Sequence, residues 1–86
     1  MADYTITFAR SARKELEAMD TAIVNRIFPK IEALAREPRP TGCRKLQGEQ
    51  FLWRIRIGDY RVVYAVHDRE RLVDITAVRH RSKAYK

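Results

Sequence analysis

Apolar positions along this chain follow two different rhythms, and the change between them divides the sequence. At the front, Tyr4–Phe8 (YTITF) alternates and is rich in β-branched and aromatic residues, which predicts a first strand. Ser11 then suits the cap of a short helix whose apolar positions Ala12, Leu16 and Met19 recur at helical spacing. Asp20 suits the cap of a second helix carrying Ile23, Ile27, Ile31 and Leu34 on one stripe, widened by Val24, Phe28 and Ala35. Pro29 lies inside that stripe, so a kink or division is expected near residues 26–29. The stretch REPRPTG (residues 36–42) holds two prolines and a glycine and reads as a connector.

Behind the connector the rhythm changes to period two. Phe51–Ile57, Tyr60–His67 and Leu72–Arg79 read as strands of an antiparallel meander. Gly58-Asp59 suits a two-residue type II′ turn, and residues 68–71 (DRER) supply the next. The expected fold is α+β, in the order β-α-α-β-β-β: two helices on one face of a four-stranded, mainly antiparallel sheet. The other face is expected to stay at least partly open.

A two-residue turn at Gly58-Asp59 sets Ile57 opposite Tyr60, Arg56 opposite Arg61, Ile55 opposite Val62 and Trp53 opposite Tyr64. Residues directly opposite share a face. Trp53, Ile55, Ile57, Val62 and Tyr64 then form the apolar face, while Arg54, Arg56 and Arg61 stand on the other. Like charges opposed across a ladder are destabilising, so such a cluster is easier to understand with an anion inside it. Guanidinium forks grip phosphate oxygens in pairs. The plainer reading leaves the stems along the sheet and the heads in water. Arg79 has two possible placements. An even register lands it on the apolar side opposite Tyr60, whereas a bulge or longer turn brings it beside Arg61.

Composition narrows the classes. Eighty-six residues make one domain, residues 1–86, with a thin core and a surface groove rather than a deep cofactor pocket. The net charge of +7 is uneven: residues 1–42 carry seven basic against six acidic side chains, residues 43–86 eleven against five. A basic half beside a neutral one fits a polyanionic partner; a solvated, solubilising face is the alternative. A single cysteine, Cys43, and two separated histidines give no zinc spacing. No signal-peptide pattern or long apolar run is present, so a cytoplasmic protein without membrane attachment is expected.

The stretches WRIRIGDYRVVYAVHD and VRHRSKAY, with SARKELEAM and EPRPTGCRKLQG before them, resemble the RelE family of bacterial toxins within the RelE/ParE superfamily. The likeness spans essentially the whole chain. It implies a toxin of a type II toxin–antitoxin system that cleaves mRNA in the ribosomal A site without metal or other cofactor. In that reaction a ribose 2′-hydroxyl attacks the adjacent phosphorus, giving a 2′,3′-cyclic phosphate and a free 5′-hydroxyl. It also implies a RelB-like acidic antitoxin as partner, with ribosomal RNA contacts. Position by position, Arg54 and Arg56 fall where such toxins place two functional basic residues. Arg61 matches the arginine of the YR pair, Arg79 the arginine after the last strand, and Tyr85 the C-terminal tyrosine. The best-known member carries lysine at both leading positions, whereas this chain carries arginine. Guanidinium stays protonated, so proton transfer by Arg54 or Arg56 is disfavoured.

Such chemistry needs a base for the 2′-hydroxyl, cations for the transition state and help for the departing 5′-oxygen. Arg61, Arg56 and Arg79 suit the cationic role, and Arg54, Arg81 and Lys83 suit phosphate binding. Tyr85 is the leading base. An unperturbed phenol ionises near pH ~10, and Arg79, Arg81 and Lys83 favour its phenolate by attraction. The alternative is an aromatic ring that stacks on a nucleobase. His80 is the rival acid–base group because imidazole titrates near neutrality, although alternation turns it away from Arg79 and a solvated histidine is the plainer reading. His67 reads as surface, and Trp53, Tyr60 and Tyr64 as packing. Two further functions stay open: a ParE-like poison of DNA gyrase, and a non-catalytic RNA-binding or antitoxin-sequestering module.

Overall fold

Alternation in the second half builds a sheet, and the helical stripes of the first half cover it. The computed structural model describes residues 3–48 and 51–84. In chain order the elements are β1 (Thr5–Phe8), α1 (Arg10–Glu17), α2 (Thr21–Ala33), β2 (Arg44–Lys45), β3 (Leu52–Ile57), β4 (Tyr60–His67), β5 (Leu72–His80) and α3 (Arg81–Ala84). The sheet runs β1-β5-β4-β3-β2, with β1 parallel to β5 and every other pair antiparallel.

Among the described residues, five strands replace the four expected. The extra one, β2, is two residues long and has no apolar alternation to announce it. It exists by pairing Arg44 with Arg54 and Lys45 with Trp53, closed by the Leu46 amide donating to the Leu52 carbonyl at 3.0 Å.

Ser11 does not cap α1. The ladder between β1 and β5 continues to Ala9, whose amide donates to the Ile75 carbonyl at 2.8 Å, and the helix starts at the next residue with Ala9 as its cap. Ser11 therefore sits in the first turn and donates its hydroxyl to the Thr76 carbonyl at 2.9 Å. Asp20 does occupy the cap of α2, but its side chain makes no capping bond; its carbonyl accepts from the Ile23 and Val24 amides. Pro29 does not divide α2. The ring is exposed, while Ile27, Ile31 and Leu34 are each at most 1% exposed and hold the helix to the sheet on both sides of it. Burying such residues is worth about 1.5–3 kcal/mol each, enough to offset a lost helical hydrogen bond.

The core joins Ala12 of α1 and the α2 stripe to Ile55, Val62, Tyr64, Val66, Val73, Ile75 and Val78 of the sheet. Tyr64 is fully buried and donates its hydroxyl to the Pro38 carbonyl at 2.7 Å, fastening the connector. Burial pushes that phenol well above its ordinary range.

The register of β5 shifts between Val63 and Tyr64. Tyr64 pairs with Ile75 and Val63 with Ala77, so Thr76 is the extra residue of a bulge. Strict alternation from Val73 and Ile75 would have turned Ala77 and Arg79 toward the core and Val78 away from it. The bulge instead buries Val78 to 1% exposure. Burying a guanidinium in its place would carry a desolvation penalty of several kcal/mol. Arg79 is thereby delivered to the face opposite the helices.

Candidate functional site

The type II′ turn fixes the centre of the site. Gly58 has φ +60°, and Asp59 is not among the described residues with positive φ, the signature of that turn rather than type I′. Its register sets Arg56 opposite Arg61, as the alternation predicts. The bulge then sets Arg79 opposite Arg61 from the other side. Arg56, Arg61 and Arg79 consequently form one row across β3, β4 and β5. Neighbouring strands lie ~4.8 Å apart, so the row's backbone spans about 10 Å. A second row, two residues along, carries Arg44 opposite Arg54, followed by Val63 and Ala77.

Five arginines thus share one face. Arg61, on the central strand, is 3% exposed and is the buried charged residue among those described. Arg54 is half-buried, and Arg44, Arg56 and Arg79 are exposed. A hollow of about 480 Å³ beside the second row is lined by Arg44, Lys45, Leu46, Gln47, Arg54, Arg61 and Val63. A buried guanidinium flanked in register by two others works against folding. Such conflicts between local preference and fold concentrate at functional sites. Guanidinium forks set on one face can, where they converge on one anionic group, hold it from several directions and stabilise charge that develops on it.

Arg44 escaped the sequence reading because β2 has no periodic signal. Glu15 escaped it as well. It accepts from the Arg79 Nε at 2.8 Å and from the Val78 amide at 2.8 Å, and no local pattern marks a contact 64 and 63 residues away along the chain.

His80 lies on the opposite face from Arg79, paired with Tyr60, whose ring meets it edge-on at 5.3 Å. It is half-buried rather than solvated. Its Nδ1 accepts the Ser82 backbone N–H at 3.2 Å and lies 2.9 Å from the Ser82 hydroxyl. Accepting that N–H puts the proton of the neutral ring on Nε2. His80 therefore anchors the start of α3, away from the arginine rows.

Arg81 is exposed. Its amide donates to the Asp59 carbonyl at 2.7 Å, and its Nε stands 4.0 Å from the Asp59 carboxylate. The tail thus leaves the sheet at the Gly58-Asp59 end, beside Arg56, Arg61 and Arg79. Tyr85 and the side chain of Lys83 lie outside the described residues.

The other end of the sheet is a clasp. Asp68 accepts from Tyr4 at 2.6 Å and from both terminal nitrogens of Arg39 at 3.2 and 2.8 Å. Arg39, and then Tyr4, hold the Asp68 carboxyl down at about 2, and the same bond raises the Tyr4 phenol. Arg39 also lies over the Trp53 ring at 5.1 Å, so Trp53 packs rather than offering itself as a platform for bases. His67 is half-buried beside Phe51. Among the described residues, no three His, Cys, Asp or Glu side chains gather as a metal site would require. Among the described residues, no helix is long and apolar enough to cross a membrane.

Comparison with known proteins completes the picture. The family described as ParE toxin of type II toxin–antitoxin system, parDE, matches residues 6–85. No curated protein sequence matches significantly. Among solved structures, the chain is similar to the archaeal RelE–RelB complex from Pyrococcus horikoshii OT3, with 29% identity, TM-score 0.81, and coverage of 95% of this chain and 99% of that one. The toxin–antitoxin complex RelBE2 from Mycobacterium tuberculosis matches at 29% identity and TM-score 0.82, covering 96% and 97%. The intact E. coli RelBE toxin–antitoxin complex matches at 26% identity and TM-score 0.78, covering 87% and 93%.

Proposed function

Because the chain belongs to the RelE/ParE superfamily and is a toxin of a type II toxin–antitoxin system with a RelE-like fold, we propose that it cleaves mRNA in the ribosomal A site. The observation that carries this reading is the row Arg56–Arg61–Arg79, three guanidinium side chains from three strands aimed at one face. A 2′-oxygen attacks the neighbouring phosphorus as its proton passes to the base, the P–O5′ bond breaks, and the 5′-oxygen takes up a proton. The products are a 2′,3′-cyclic phosphate and a 5′-hydroxyl. Arg61, Arg56 and Arg79 neutralise the charge gathering on the phosphoryl oxygens. Arg44, Arg54, Arg81 and Lys83 hold neighbouring phosphates, and Tyr85 takes or orients the 2′-hydroxyl proton. His80, committed to the Ser82 amide on the other face, is not assigned to proton transfer.

The partners in this reading are the ribosome with its mRNA and ribosomal RNA, and an acidic RelB-like antitoxin in the same cytoplasm. Among the structures it resembles are complexes of RelE with RelB. The antitoxin packs against the helices and masks the basic tail. Its binding is expected to slow backbone exchange in residues 79–84; unchanged exchange there would contradict the masking.

The experiment is primer-extension mapping of mRNA in a translation reaction. Discrete cuts are expected from the wild type, weakened ~10²–10³-fold in Arg61→Ala and in Arg79→Ala. The family match, named for ParE, favours a second reading: a toxin that acts on DNA gyrase and leaves RNA whole. Uncut message with gyrase-dependent DNA breaks would establish that reading instead.

A further inference from the structure

Arg79 reaches the arginine face on an edge that β1 no longer covers. The last β1–β5 pair is Phe8 opposite Ile75, followed by the bond from the Ala9 amide to the Ile75 carbonyl, and the chain then turns into α1, which lies beside the remainder of β5. There the Glu15 carboxylate is used on both oxygens. Oε1 accepts the Val78 backbone N–H at 2.8 Å, and Oε2 accepts the Arg79 Nε–H at 2.8 Å. The first bond orients the carboxylate against the strand itself. The second therefore fixes the guanidinium relative to the backbone of β5, not merely to another mobile side chain.

We propose that Glu15 is a positioning residue: it grips Arg79 through Nε so that the two terminal nitrogens form a fork directed at the scissile phosphate. The inference rests on the reading of the arginine row given above. Three features support it. Engagement through Nε leaves the edge of the guanidinium that binds phosphate bidentately. Arg79 is 47% exposed and Glu15 only 27%, so the carboxylate is the sheltered, anchored member of the pair. Arg61 stands next to Arg79 in the same row, with Arg56 one strand beyond, and their repulsion would swing an untethered Arg79 outward. Holding a catalytic cation within a fraction of an ångström matters, because a misplacement of ~1 Å can lower a rate by roughly 10²-fold.

Single-turnover cleavage of ribosome-bound mRNA is measured for Glu15→Gln with Arg79 present and with Arg79→Ala. Melting temperature and the Arg79 Nε–H NMR resonance are followed in parallel. Glu15→Gln is expected to lower the maximal rate roughly 10²-fold, with half-saturation unchanged or improved because a negative charge is lost near the RNA. In the Arg79→Ala background it should cause no further loss. The Nε–H resonance should be resolved and slowly exchanging in the wild type and averaged in Glu15→Gln. An equal loss in both backgrounds, or activity that merely follows melting temperature, would overturn the inference. Should the wild type cut nothing, the ribonuclease reading falls, and the resonance still decides the tether. Order in the wild type lost in Glu15→Gln supports it; averaging in both overturns it.

Discussion

At Gly58 the backbone turns with φ +60°, and an added Cβ would stand 2.9 Å from the Arg26 Nη2. The guanidinium is the far end of a flexible chain and can move aside, so conformation rather than contact sets the penalty. Gly58→Ala is expected to destabilise the fold by about 1–2 kcal/mol, read as a lower urea midpoint with an unchanged slope. An unaltered midpoint would mean that the hairpin register is held elsewhere. This one residue explains why Arg54, Arg56 and Arg61 were legible in the sequence. A two-residue turn leaves no freedom in the pairing beyond it, and period two then sorts every side chain to a face. Tyr85, outside the described residues, is assigned from the family resemblance alone, since nothing in its spacing distinguishes a base from a stacking ring.

Between elements, legibility depended on whether a local pattern existed. The helices and the long strands announce themselves by periodicity. The bulge in β5 does not, because it reflects competition between Val78 and Arg79 for the core, decided by desolvation across the whole sheet. Strand β2 and the Glu15 tether depend on long-range pairing and leave no local trace. The clasp of Tyr4, Arg39 and Asp68 belongs to the same class, joining the N-terminal strand, the connector and the β4–β5 turn. Its Asp68 carboxyl is depressed from 3.8 to about 2 in the folded state. The folded chain thus binds fewer protons than the unfolded chain between those values. The stabilisation is complete above pH ~4 and disappears as pH falls through about 2. Asp68→Asn should lower stability at neutral pH, with the gap from wild type closing over that window. Acid titration of chemical stability checks it; a gap that stayed constant down to pH ~2 would remove Asp68 from the account.

Over the whole molecule, a net charge of +7 rests mostly on the second half of the chain, and the fold draws five arginines of the sheet onto one face. Binding of single-stranded RNA to that face must release counterions, so affinity should fall steeply with salt. Arg44→Ala is expected to weaken binding of unrelated RNA sequences about equally and to reduce the salt slope by about 0.7, the share of one phosphate contact. A slope that did not change would place the RNA away from β2. The most direct measurement is the end-mapping of ribosome-bound mRNA exposed to wild type and to Arg61→Ala, the substitution at the centre of the row. Fragments ending in 2′,3′-cyclic phosphate from the wild type, reduced ~10²–10³-fold by Arg61→Ala, are the predicted result. Intact message, or cuts that Arg61→Ala leaves undiminished, would contradict it.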